Sequence, residues 1–472
     1  MTTSSAPAAL AVERMTSLDA AFLYAESDRT PMHIGSVSVF EGTPFFDDTG
    51  TFRLEAVQAR VAERLHLFPR FRKRLAFVPF DLGRPFWVDD IDFDIAEHVR
   101  LLVLPSPGSV DELEALAARV HMRTLDRRRP LWELLFVGGL AHGRIGLIQK
   151  LHHAMVDGIS GVDVAAALLD LVPSPPIVDV PVWHPVPPPD IAHLVVEGLR
   201  EDLAQPIDLA RDALQMLWSP RETAARVVGA LGMVNTAVRN LPGIRPAPLR
   251  QQVGGTRLLR SVSVSLDDVR QAAHRREASI NDVALTAVAA GVGHLLRSRG
   301  EATEDASLQV MVPVSLRADD EHLALGNRVS ALFVQLPLRP GASDDRLAAV
   351  RAEMHRVKDE QQSQGAELLL HGVDAVPVGL LSLLSRAIHH QGVADLVVTN
   401  VPGPPFPLYF LGAELLTSTP IVPLGGNLSV NIALMSYNGG LTFGIHADAD
   451  TCPDVGLLVE GIERELATLC CP

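Results

Sequence analysis

Cysteine is nearly missing from this chain: Cys452, Cys470 and Cys471 are the only three in 472 residues. So few thiols build no disulfide framework or Cys-x-x-Cys metal site, and they fit a reducing compartment. An excess of positive charge is missing too. Lys and Arg number 41 against 56 Asp and Glu, a formal net charge of −15. That balance argues against nucleic acid as a partner and against purely electrostatic attachment to anionic lipid. Nor is there an uninterrupted run of about 18 apolar residues, the length a helix needs to cross a bilayer. The richest candidate, 368–388, is broken by His371, Asp374, Pro377 and Arg386. The chain is therefore not expected to span a membrane, although it is free to lie on one. Residues 1–14 are rich in Ala, Ser, Thr and Pro and lack the basic start and apolar run of a secretion signal. They are expected to form a disordered tail. Finally, no Gly-x-Ser-x-Gly nucleophile elbow occurs.

What the chain does have is enough apolar material, 47% of residues with 21% charged, for a globular protein. Its length exceeds one usual core, so two domains are expected. The clearest boundary is 173–190, where eight of eighteen residues are proline. Proline has no amide donor and a fixed φ, so this stretch reads as an extended crossover. A first domain, 15–172, shows strand patterns at 36–40, 134–138 and 145–151 and helix patterns at 54–65, 110–123 and 161–171. The crossover continues to 250 through a helical pattern at 191–240 that Pro206 and Pro220 interrupt. The second domain, 251–472, shows helix patterns at 266–276, 280–297 and 344–361. Its strand patterns lie at 308–313, 329–336, 428–434 and 441–446. Both halves are mixed α/β.

The most informative segment is His152-His153-Ala154-Met155-Val156-Asp157-Gly158. A strand-like run leads into two adjacent histidines, and a helix-like stretch, 159–171, follows. Histidine is the side chain whose ordinary pKa suits proton transfer near neutrality. His-x-x-x-Asp by itself is weak, since His446 and Asp450 repeat the spacing among 17 histidines. The preceding His and following Gly make the heptapeptide specific. Adjacent side chains on an extended segment point oppositely, so His152 and His153 face different surroundings. His152 is open between supporting chemistry and supporting structure. Asp157, at the start of the next helix, is placed to cap free amides. Asn281 follows Ser279, an N-cap candidate, and is open between helix start and function. A metal held by His152, His153 and Asp157 lacks further ligands, and none is expected. The pair His389-His390 has no Asp-Gly context.

The heptapeptide resembles the HHxxxDG motif of the bacterial wax ester synthase/diacylglycerol acyltransferase family, within the CoA-dependent acyltransferase superfamily. Further blocks match in order. Leu18-Asp19-Ala20-Ala21-Phe22-Leu23 precedes Met32-His33-Ile34-Gly35, as in the family's opening segment. Pro130-Leu131-Trp132 matches its PLW element, and Asn281-Asp282 its ND element. Pro313-Val314-Ser315-Leu316-Arg317 with Gly326-Asn327 matches another block. Asn400-Val401-Pro402-Gly403-Pro404 looks like its SNVPGP loop, with Thr399 where Ser is usual.

The resemblance implies a pseudo-dimer of two similar mixed-sheet α/β domains with the active site in a tunnel between them. It implies transfer of a long-chain acyl group from acyl-CoA to diacylglycerol, forming triacylglycerol, and also to long-chain fatty alcohols, forming wax esters. Acyl-CoA is then a substrate, its polyanionic part needing a local basic patch, and no cofactor is expected. His153 takes the position of the catalytic histidine and acts as general base, with the acyl group passing directly between substrates. His152, Asp157, Gly158 and Asn281 complete the candidate site. Arg317 is the candidate partner of Asp157, while Asp282, Pro130, Leu131 and Trp132 give structural support. The expected location is cytoplasmic, at the surface of the inner membrane or of lipid droplets, because acceptors and products are nearly insoluble. Segment 195–234, with Leu214-Gln215-Met216-Leu217-Trp218, either touches that surface or packs between domains. Oligomeric state is left open. Two rivals are a condensation-domain-like acyltransferase with a carrier-protein donor and a catalytically inactive lipid-droplet surface protein. The ordered blocks argue against the first; the intact His153, Asp157 and Gly158 argue against the second.

Overall fold

The computed structural model describes residues 13–79, 83–155, 167–176, 179–192, 194–196, 248–315, 329–364 and 393–471. The helical pattern at 197–240, the apolar run at 368–388 and His389-His390 lie outside them. The fold is α/β and rests on two six-stranded mixed sheets. The first runs Tyr409–Phe410, Ala413–Ile421, His33–Phe40, Ile145–His152, Trp132–Leu140, Val99–Gly108. The second runs Val329–Pro337, Ser307–Ser315, Leu396–Pro402, Val430–Tyr437, Gly440–Asp448, Arg257–Ser265. A small third sheet begins with Glu13–Arg14, which composition assigned to the tail. These two residues pair with Trp87 and Phe86.

Period-two alternation on the Ile145–His152 strand decides what each face carries. Ile148, Lys150 and His152 face helix Val110–His121, whose Leu113, Ala117 and Ala118 pack against Val37, Val39 and Ile148. The helix starts at Ser109, where a capping box with Glu112 satisfies free amides. Leu147, Gln149 and Leu151 point to the opposite face, level with Ser38, Ser36 and Ile34 of the neighbouring strand. In the second half, helix Ile280–Ser298 is apolar almost all round. It is accordingly buried, between the second sheet and helix Val455–Cys470.

The halves interlock rather than merely touch. Strand Ala413–Ile421 comes from the second half of the chain, yet it pairs antiparallel with His33–Phe40 in the first sheet. Its backbone passes so close to Gly444 of the second sheet that a Cβ there would lie 1.9 Å from the Pro420 carbonyl oxygen. Arg257, buried at the edge of the second sheet, pairs with Asp448 at 2.6 Å and donates to the Arg29 carbonyl in the first half. Among the described residues of 173–190, none belongs to a helix or strand. There the Val186 amide donates to Asp89 Oδ2 at 2.9 Å, and Trp183 lies between Arg72 and Phe93. No single described helix is long and apolar enough to cross a membrane.

Candidate active site

The Ile145–His152 strand ends in a 3-10 turn, His153–Met155. Backbone bonds fix both histidines at that edge. The His152 amide donates to the Leu131 carbonyl at 2.9 Å, and the His153 amide to the Met32 carbonyl at 2.7 Å. The His153 ring stacks on Phe22 of helix Ser17–Ala25, with centroids 3.8 Å apart and planes 18° apart. Part of the residue stays accessible. Burial pushes its pKa down to about 4; a hydrogen bond with its own backbone opposes the shift and His152 adds to it. The ring is therefore neutral at pH 7.

His152 points the other way. Its Nδ1 accepts the Ala154 amide at 3.0 Å, which leaves the ring proton on Nε2. That nitrogen faces Glu26 Oε1 at 3.5 Å. His33, opposite His152 in the sheet, donates from Nδ1 to the His121 carbonyl at 3.0 Å, and its Nε2 lies 3.4 Å from the same Glu26 oxygen. Glu26 also accepts the Met32 amide at 3.2 Å and pairs with Arg127 at 2.9 Å. Burial alone would raise the Glu26 pKa, but His152, His33 and Arg127 overcome it and hold the carboxyl at about 2. His33 is held at about 3, first by burial and then by the Lys150 charge. A buried, ionised carboxylate thus braces the loop and the turn that carry both histidines. Sequence reasoning missed Glu26. Its signal was its place between two matched blocks, at the end of helix Ser17–Ala25.

The other matched blocks converge from distant parts of the chain. Asn281 opens helix Ile280–Ser298, and its Oδ1 accepts a hydrogen bond from Asn400 Nδ2 at 2.6 Å. With that oxygen engaged, the Nδ2 end of the Asn281 amide is the one turned to donation. Asp282 accepts the Ser279 amide at 2.8 Å and closes the capping box. Trp132 is buried, stacks on His98 at 4.5 Å and donates its indole proton to the Phe71 carbonyl at 2.8 Å. Leu131 is buried and supplies the carbonyl that holds His152; the Pro130 carbonyl accepts the Trp132 amide. Asp157, Gly158 and Arg317 lie outside the described residues, as do Gly326 and Asn327.

Cys452 sits in the second half against helix Val455–Cys470, where burial pushes its thiol up to about 11. It is not a thiolate at neutral pH. Among the described residues, no three His, Cys, Asp or Glu side chains converge as a metal site. On the sheet face that carries Leu147 and Gln149 lies a partly open pocket lined mainly by apolar side chains. Leu134, Phe136, Leu147, Gln149, Phe410 and Tyr437 are among its walls.

The wax ester synthase/diacylglycerol acyltransferase catalytic domain matches residues 15–284, and the C-terminal domain of the same family matches 325–470. A probable diacylglycerol O-acyltransferase of Mycobacterium tuberculosis, tgs1, is 34% identical over 467 residues, covering 97% of this chain and 96% of the relative. A second from that organism, tgs2, is 30% identical over 458 residues, covering 96% and 97%. Among solved structures, a wax ester synthase/diacylglycerol acyltransferase from Marinobacter aquaeolei VT8 superposes with a TM-score of 0.68 at 24% identity, covering 97% and 98%. The first condensation domain of the calcium-dependent antibiotic synthetase superposes with a TM-score of 0.58 at 17% identity, covering 97% of each chain. Both structural likenesses concern the fold.

Proposed function

Since this chain belongs to the wax ester synthase/diacylglycerol acyltransferase family and is an acyl-CoA-dependent O-acyltransferase, we propose that His153 is its general base. The acceptors are diacylglycerol, giving triacylglycerol, and long-chain fatty alcohols, giving wax esters. The observation carrying the reading is the His153 ring itself: neutral, partly accessible and stacked on Phe22, on a residue whose backbone amide the Met32 carbonyl holds.

An alcohol is too weak an acid to attack a thioester unaided at neutral pH. His153 takes the hydroxyl proton as the oxygen forms a bond to the thioester carbonyl carbon, and the carbonyl electron pair moves onto its oxygen. Collapse of the tetrahedral intermediate breaks the C–S bond. The departing thiolate takes the proton from the imidazolium, leaving ester and free CoA. A conjugate acid near 4 has opposite effects on the two proton steps. It makes His153 a weak base, so the proton moves together with bond formation. It also makes return of the proton strongly downhill, since a thiol has a pKa near about 8.5. Burial of Cys452 and the absence of a serine elbow support direct transfer without an acyl-enzyme. No cofactor enters this bond balance.

His152 positions its neighbour, because its Nδ1 holds the Ala154 amide of the turn, and Glu26 braces His152 in turn. The Asn281 amide, oriented by Asn400, donates to the developing oxyanion. Asp157, Gly158 and Arg317 are assigned supporting roles by their places in the motif and in the matched block. The insolubility of acceptor and product supports peripheral contact with the cytoplasmic face of a membrane or with lipid droplets. The test is to incubate the purified chain with labelled palmitoyl-CoA plus diacylglycerol or hexadecanol and separate the neutral lipids. Labelled triacylglycerol and wax ester are expected, and His153→Ala should abolish both while keeping the parent's circular dichroism. Turnover by His153→Ala equal to the parent's would remove the general base.

A further inference from the structure

The pocket on the face that carries Gln149 is walled by hydrocarbon except at four side chains, Ser38, Ser418, Gln149 and Tyr437. The Tyr437 hydroxyl donates to the Leu415 carbonyl and accepts the Leu408 amide, both at 2.9 Å. The two serines satisfy each other at 3.0 Å. Gln149 is different. It is only 4% exposed; its Oε1 accepts the Ser36 hydroxyl at 3.3 Å, and its Nε2 has no hydrogen-bond partner. A buried amide donor left dry is costly, and native proteins rarely keep one unless something else satisfies it. A saturated acyl chain filling this cavity would leave it unpaired. The occupant that pairs it is an apolar molecule carrying an oxygen acceptor partway along its length.

The position of Gln149 on its strand narrows that oxygen further. Gln149 and His153 lie four residues apart, about 13 Å between Cα atoms at strand rise, and alternation directs both toward one face. A hydrogen bond of about 3 Å reaching inward from each leaves about 7 Å between a hydroxyl at His153 and a carbonyl at Gln149. In diacylglycerol an ester carbonyl stands a few bonds from the free hydroxyl, at the head of a long chain. A fatty alcohol has a single oxygen, and His153 needs it.

We infer that Gln149 selects the acceptor: its Nε2 donates a hydrogen bond to an ester carbonyl of diacylglycerol, one of whose acyl chains fills the cavity. This rests on diacylglycerol being an acceptor of the His153 site. A site built to bond an oxygen discriminates against analogues lacking it, because its own polar group is then left buried and unpaired. Diacylglycerol is therefore favoured over both a fatty alcohol and a diether analogue that keeps the chains and hydroxyl but has no carbonyls.

The experiment measures kcat/KM of the full chain in mixed micelles with palmitoyl-CoA and each of three acceptors: dioleoylglycerol, its diether analogue and hexadecanol. The parent should prefer diester to diether by about tenfold or more. Gln149→Met, which keeps the length and apolar bulk, should bring that ratio close to one and lower the triacylglycerol-to-wax-ester ratio about tenfold. A parent that uses diester and diether equally overturns the inference, and this needs no variant to fold. So does a Gln149→Met protein with unchanged ratios. A parent that makes wax ester but no triacylglycerol overturns the diacylglycerol reading itself.

Discussion

Lowering the pH from 7 to 5 should destabilise this protein steeply, because its buried imidazoles are held neutral. His33, His153 and His446 are pushed down to about 3, 4 and 4, in each case first by burial. At pH 5 they remain unprotonated in the folded chain. Unfolding returns each to an ordinary pKa near about 6.5, where it takes up a proton. The unfolded state then binds more protons, so stability is lost as pH falls from about 6.5 toward the folded values. Each pH unit within that window is worth about 1.4 kcal/mol per group. At pH 5 the three groups together cost about 6 kcal/mol, similar to the whole stability of many domains. Glu26, held at about 2 against an ordinary 4.5, adds its own loss only at still lower pH. Urea unfolding followed by fluorescence of buried Trp87 and Trp132 at pH 7, 6 and 5 reads the effect. His446→Asn, which keeps a donor for the Val422 carbonyl that the ring bonds at 2.7 Å, should remove about a quarter of the slope or less, because burial also holds His121 well below its ordinary value. Turnover per folded molecule should stay flat between pH 6 and 8, since His153 is already neutral there. A urea midpoint constant from pH 7 to 5, or a turnover limb near 6.5, would refute the reasoning.

Glu26→Gln keeps an oxygen for the Met32 amide but removes the charge facing His152, His33 and Arg127. It should cost about 1–3 kcal/mol, kept modest by the partly exposed Arg127, and lower kcat more than it changes KM. Thermal melting and steady-state kinetics measure both, and an unchanged kcat would dismiss Glu26 as a positioning residue. Initial-rate lines with acyl-CoA and diacylglycerol both varied should intersect, and acyl-CoA supplied alone should leave no label on the denatured chain. A stoichiometric acyl group mapped to Cys452 or to any serine would end the direct-transfer mechanism.

Where a residue's job is set by its immediate neighbours, the chain could be read directly. The strand entering His152 showed in its apolar run, the opposite orientation of the two histidines in the extended backbone, and the cap of helix Ile280–Ser298 in Ser279. Strand Ala413–Ile421 was not recognisable. It carries Pro420 and a polar Thr-Ser-Thr run, and it earns its place only by pairing with His33–Phe40 across the molecule.

The site divides along the same line. Local pattern and ordered motifs determined that the chain is an acyltransferase of two α/β halves with His153 at a strand end. Tertiary structure decided what surrounds that ring: Phe22 stacked on it, Glu26 behind His152, Asn400 holding Asn281 and the Nε2 of Gln149 left without a partner in an apolar pocket. Hydrophobic period and capping depend on residues within a turn or two of each other. Burial, pKa and hydrogen-bond completion depend on what the fold brings in from far along the chain, and no local pattern encodes that.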